Sequence, residues 1–86
     1  MQIERTRRFR RAYRLLADDD RQRATKAIAL LASDWRYPSL QVRRMHGKEG
    51  LWEARASLTL RITFELAGDT IVLRNVGTHD KTLRDA

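Results

Sequence analysis

No cysteine occurs among the 86 residues, which excludes a disulfide framework and a thiolate metal site and gives no sign of an oxidising compartment. Proline appears once and glycine four times, and no segment is of low complexity, so the composition is that of a folded domain and not of a linker. No apolar run approaches the ~18 residues of a membrane span. The basic N-terminal stretch MQIERTRRFRR is followed by no apolar segment of signal-peptide length. The expectation is an unprocessed, cytoplasmic chain with no membrane association. Acidic residues are the scarcer charge, 11 against 18 Lys and Arg, for a formal net charge of +7.

A chain of this length buries only about 60–65% of its unfolded surface, so residues 1–86 are expected to form a single domain with a thin core. Fifteen of the 18 basic residues are arginine. Guanidinium makes flat, bidentate contacts to phosphate and carboxylate and stays charged when partly buried. The bias therefore favours a polyanion or an acidic protein as partner.

The hydrophobic spacing predicts an α+β domain. Residues 2–5 allow a short first strand on the strength of Ile3 alone. From Arg7, Phe9, Ala12, Tyr13 and Leu16 recur at helical spacing, with arginines on the other faces. The triplet Asp18, Asp19 and Asp20 ends this helix and is expected to cap a second, Asp19 and Gln22 being at capping-box spacing. Ala24, Ala27, Ile28 and Leu31 carry the second helix to about Ser33, which makes an antiparallel helical hairpin. The period then becomes two. Leu40, Val42 and Arg44 alternate with Gln41, Arg43 and Met45; HGKEG turns, and LWEARA starts the next strand. In LTLRITFEL, Leu58, Leu60, Ile62, Phe64 and Leu66 point one way and Thr59, Arg61, Thr63 and Glu65 the other. AGDT is a hairpin turn and TIVLRNV the last strand. The expected architecture is a helical hairpin packed on one face of a three- to four-stranded antiparallel sheet.

If Leu60, Ile62 and Phe64 face the helices, Arg61 faces away. Arg43, Arg55 and Arg74 on neighbouring strands, with His79 and Asp80 at the end of the last one, would complete a basic concave surface suited to a phosphodiester. RNA is cleaved without a metal when the 2′-hydroxyl attacks its own phosphate. The reaction needs a proton acceptor, a proton donor for the leaving 5′-oxygen, and fixed positive charge around the phosphorane. Histidine can do either proton job and arginine only the third. Arg61 and Arg55 are the candidate phosphate binders and His79 the acid or base, with Asp80 or Glu53 to orient it or share the work. The bland alternatives are a strand arginine paired with Glu53 or Glu65, a turn histidine at His79 and another at His46, and core or edge packing for Trp35 and Trp52. Two histidines 33 positions apart have no metal-ligand spacing, and no cofactor is expected.

The order and spacing of MHGKEGLWEARASLTLRITFELAGDTIVLRNVGTHDKTL resemble the RelE/ParE toxins of bacterial type II toxin–antitoxin systems: an aromatic, Arg, an R-I-x-F strand, a hairpin and a terminal G-x-H. The helical hairpin extends the resemblance over nearly the whole chain. It implies a ribosome-dependent endoribonuclease that cuts mRNA and inhibits translation, neutralised by an acidic antitoxin that wraps around it. By position it makes Arg61 similar to the phosphate-holding arginine, Arg55 to a supporting one, and His79 to a C-terminal histidine of several nuclease branches. Arg43, Arg74 and Lys48 are the further RNA-binding candidates.

The chain departs from the pattern in two places. No tyrosine or phenylalanine follows the last strand to stack on a base, and the paired strand lysines of one branch are replaced at best by Arg43 and Arg44. A gyrase-directed branch of the same family cleaves nothing. Such a toxin, or a non-catalytic module that only binds an antitoxin or RNA, is therefore the alternative.

Overall fold

A computed structural model describes residues 1–86. Its order is β1 (Gln2–Arg5), α1 (Arg7–Arg14), α2 (Asp18–Ser33), a 3₁₀ turn (Pro38–Leu40), β2 (Arg43–Arg44), β3 (Trp52–Arg55), β4 (Leu60–Ala67), β5 (Thr70–Thr78) and α3 (His79–Arg84). The α+β architecture with a leading helical hairpin is as the hydrophobic periods predict. The sheet is larger, with five strands in the order β1-β5-β4-β3-β2. β2 to β5 form the antiparallel meander, and β1 joins it in parallel, Ile3 opposite Ile71 and Arg5 opposite Leu73. A lone isoleucine is a weak local signal. What makes β1 a strand is the free edge of β5, which supplies its hydrogen bonds.

Thr6 carries the chain from this strand into α1. Its hydroxyl accepts from the Phe9 amide at 3.1 Å and donates to the Leu73 carbonyl at 2.8 Å, so one side chain caps the helix and ties it to β5. α2 starts otherwise than the capping-box spacing suggests. Its N-cap is Ala17, with no side-chain cap bond, and the three aspartates all lie in the first helical turn. There they act through the helix dipole and through ion pairs of Asp18 with Arg21 and Asp20 with Arg23.

Phe9 and Ala12 of α1, and Ala24, Ala27, Ile28 and Leu31 of α2, pack on the inner face of the sheet against Leu60, Ile62, Phe64, Ile71, Leu73 and Val76. Burying each large side chain is worth roughly 1.5–3 kcal/mol relative to exposure. Leu58, read as the first inward residue of β4, is instead 81% exposed, because the strand begins only at Leu60 and Leu58 lies in the β3–β4 turn. The face away from this core is partly covered by α3, whose Thr82 is fully buried; Asn75 of β5 donates to the Asp85 carbonyl at 2.6 Å just beyond it. No helix is long and apolar enough to cross a membrane.

Candidate active site

Opposed residues of an antiparallel ladder share a face. The register sets Arg43 opposite Glu53, Glu53 opposite Thr63 and Thr63 opposite Asn75; one step along, Arg55 faces Arg61, and Arg61 faces Gly77. All lie on the side away from α1 and α2. α3 begins immediately after Gly77 and Thr78, and Thr78 caps it by accepting from the Lys81 amide at 3.2 Å. That cap sets His79 in the first turn of a helix rather than at a strand end, over the same face.

The centre of the constellation is Glu53, a carboxylate only 3% exposed. Its Oε1 accepts from Arg43 Nε at 3.3 Å and Nη2 at 3.2 Å, and Arg61 Nε lies 3.8 Å away. Its Oε2 lies 3.6 Å from His79 Nδ1. The protein has three buried side-chain polar atoms without a hydrogen-bond partner: Glu53 Oε2, His79 Nδ1 and Thr63 Oγ1. All belong to this one face. Buried polar atoms are ordinarily satisfied, and such exceptions gather where a fold keeps groups ready for something other than stability.

Arg61 is on the open face, as alternation predicts, but it is only 8% exposed. Its Nη1 donates to the carbonyls of Ser57, Leu58 and Leu60 at 3.0–3.3 Å, so the guanidinium staples the β3–β4 turn while its other edge faces Glu53. Burial is the largest cause of a lowered Arg61 pKa, followed by the like charge of Arg55. Glu53 opposes both effects and Arg43 adds a smaller like-charge contribution. Arg43, Arg55, Arg61, Glu53 and Gln41 line a cleft of about 180 Å³ with no apolar wall. A basic cleft with one buried acid lining it can take an anion, with a histidine ring standing beside that acid.

The remaining candidates lie elsewhere. Asp80 is exposed and makes no hydrogen bond or ion pair, and the acid beside His79 is Glu53. Arg74 is the extra residue of a β-bulge: Thr63 pairs with Asn75 but Phe64 with Leu73, so Arg74 falls between them and pairs with Glu65 at 3.1 Å. Lys48 lines a separate cavity formed by the 44–52 turn. His46 is exposed in that same turn. Trp35 and Trp52 meet edge to face at 5.1 Å, with Arg36 and Arg44 over them at 4.8 and 5.0 Å. These rings are occupied by one another and by arginine at the far edge of the sheet. The bulge and the helical placement of His79 were the features that residue patterns missed; the Thr-His-Asp start of α3 is the N-cap signal that marks the second.

The chain has the RelE/YafQ architecture. It superposes on YafQ from E. coli strain BL21(DE3) with a TM-score of 0.80, over 94% of this chain and 96% of that one, at 14% identity. A metal-bound toxin from Helicobacter pylori gives 0.78 over 94% and 97% at 18% identity. The toxin of a RelB–RelE antitoxin–toxin complex from Methanococcus jannaschii gives 0.73 over 94% and 95%, again at 18%. No family model and no curated protein matches the sequence.

Proposed function

We propose that the protein is the toxin of a toxin–antitoxin pair, an endoribonuclease that cuts mRNA on the ribosome and thereby inhibits translation in the cytoplasm. The observation that carries this reading is the buried Glu53 carboxylate with His79 Nδ1 beside one oxygen and Arg43 and Arg61 beside the other, on the open face of a fold shared with YafQ and RelE.

In the proposed reaction Arg61 and Arg55 hold the scissile phosphate from the cleft. The 2′-hydroxyl of the preceding ribose attacks phosphorus, the P–O5′ bond breaks, and the products are a 2′,3′-cyclic phosphate and a 5′-hydroxyl. His79 carries one of the two protons, and the other is exchanged with solvent in the open cleft. Its Nδ1 faces Glu53, so Nε2 is the nitrogen left to reach substrate. Glu53, its Oε2 at 3.6 Å from Nδ1, is placed to orient the ring and to balance its charge when it is protonated. The arginines stabilise the phosphorane, where charge accumulates. The need for a 2′-hydroxyl confines the activity to RNA.

The same positive surface suits an acidic antitoxin, and the M. jannaschii neighbour is itself a RelB–RelE antitoxin–toxin complex. The decisive experiment is induction of the wild type and of His79→Ala in bacteria, with growth, protein synthesis and primer-extension maps of translated mRNA followed together. Cuts within translated codons that vanish in the variant are expected. Growth arrest without cuts, unaffected by the variant, would transfer the protein to the gyrase-directed class, and no arrest at all to the non-catalytic binding class.

A further inference from the structure

The cleft does not end at the edge of the sheet. Arg55, at the last position of β3, lines both the 180 Å³ cleft and a second groove of about 420 Å³ that runs between α2 and the β3–β4 turn. Arg55 is half-buried and makes no side-chain hydrogen bond or ion pair, although most buried or half-buried charges here are paired. At the junction stands Gln41, the only non-glycine residue with positive φ, at 46°. It turns the chain out of the 3₁₀ turn so that Leu40 closes the groove while Gln41 itself lines the cleft. A non-glycine residue held in the left-handed region is tolerated where the surroundings over-determine it, and such residues gather at ligand sites.

The groove has two kinds of wall. On the α2 side, Lys26 is exposed and free of any ion pair, and Arg23 stands one turn away. Opposite are Leu58, the most exposed large apolar side chain of the protein, and the buried Leu40. No aspartate or glutamate lines it. Its volume falls in the ~300–1,000 Å³ range of ordinary ligand sites. Cations along one wall and aliphatic surface along the other suit an unpaired polynucleotide, since its phosphates want charge and its base faces gain by leaving water. A wholly apolar groove would suit a protein helix better.

We propose that this groove binds the single-stranded RNA flanking the cleaved phosphate, with Lys26 and Arg23 on the next backbone phosphates and a base laid against Leu58. The assignment rests on the reading of the cleft as an RNA site. Arg55 is then the hinge of a continuous track, touching the phosphate on either side of the turn.

The test is fluorescence anisotropy with fluorescein-labelled, fully 2′-O-methylated RNA, a dinucleotide and an octamer, against the wild type, Lys26→Glu and Leu58→Ser. Both positions are exposed, so neither substitution disturbs the core. The octamer should lose about tenfold in affinity with Lys26→Glu and about threefold with Leu58→Ser, while the dinucleotide, which fills only the cleft, binds all three proteins alike. The salt dependence of octamer binding should become shallower by about one phosphate contact in Lys26→Glu. Equal octamer affinity in all three proteins would overturn the groove, and so would a wild type that binds neither oligomer. If Lys26→Glu instead loses only affinity for polyglutamate, the groove is a face for an acidic protein and the RNA assignment is wrong. A wild type that cuts no mRNA in cells but shows the octamer losses would remove the nuclease reading and leave the groove standing.

Discussion

Arg55 and Arg61 stand opposite each other across the β3–β4 ladder, two guanidinium groups on one face of the sheet. Like charges in that relation repel by up to about 1 kcal/mol. The fold keeps the pair at the mouth of the basic cleft, where a phosphate would relieve the repulsion. Replacing Arg55 by Thr should therefore raise the melting temperature by about 2–5 °C while cutting mRNA cleavage at least tenfold. A scanning calorimetry trace beside a cleavage assay reads both, and a variant less stable than the wild type would show that Arg55 serves the fold.

Glu53 should behave as a buried acid facing two arginines and the His79 ring. Glu53→Ala leaves the Arg61 guanidinium buried with no counter-charge and should cost about 3–5 kcal/mol in urea unfolding. Glu53→Gln keeps the volume and one acceptor and should cost less than half as much. Both should lose cleavage to a similar extent, because either one removes the negative charge that faces His79 Nδ1. Full activity in Glu53→Gln would reduce the residue to a structural role.

Arg61 serves the turn as well as the cleft, so its variants separate the two duties. Arg61→Ala loses three hydrogen bonds to turn carbonyls and should be destabilised by about 1–3 kcal/mol as well as inactive. Arg61→Lys retains the charge but not the fork, and should recover part of the activity with less of the stability. Equal stability in both variants would mean that the carbonyl contacts carry no weight.

The position of His79 depends on Thr78. Thr78→Ala removes the cap of α3 and should cost about 1 kcal/mol, with a fall in cleavage several times larger than that of Asp80→Asn, which should leave activity within twofold. Thr78→Ser should restore the wild-type rate. Assay of the three variants at a temperature well below melting decides it, and an inactive Asp80→Asn would reinstate Asp80 as the partner of His79.

Much of this architecture is legible in the order of residues. Phe9, Ala12, Ala24, Ala27, Ile28 and Leu31 announce two helices by spacing, and Leu60, Ile62 and Phe64 announce a strand with Arg61 on its other side; all behave accordingly. What the order of residues left open has physical causes. β1 is a strand because a distant edge accepts it, which no four-residue window can contain. Alternation along β5 fails at Arg74 because a bulge adds one residue, and a bulge has no sequence mark unless a glycine sits in it. The site is legible as a set of charges and not as a geometry. The choice of Glu53 over Asp80 beside His79 is made by cross-strand register, and Asp80 is closer only along the chain.

The parallel pairing of β1 with β5 has a consequence for the life of the molecule. β5 lies between β1 and β4 and supplies Ile71, Leu73 and Val76 to the core, and Gln2 must wait for Thr70 before it has a partner. A chain emerging from the ribosome therefore has helices but no closed sheet until its eighth decade of residues is made, and His79 follows later still. Contacts so distant in sequence form last. The cleft residues on β3 and β4 are therefore made before the strand that closes the sheet around them, and the face that carries Glu53 and His79 exists only once β5 has paired.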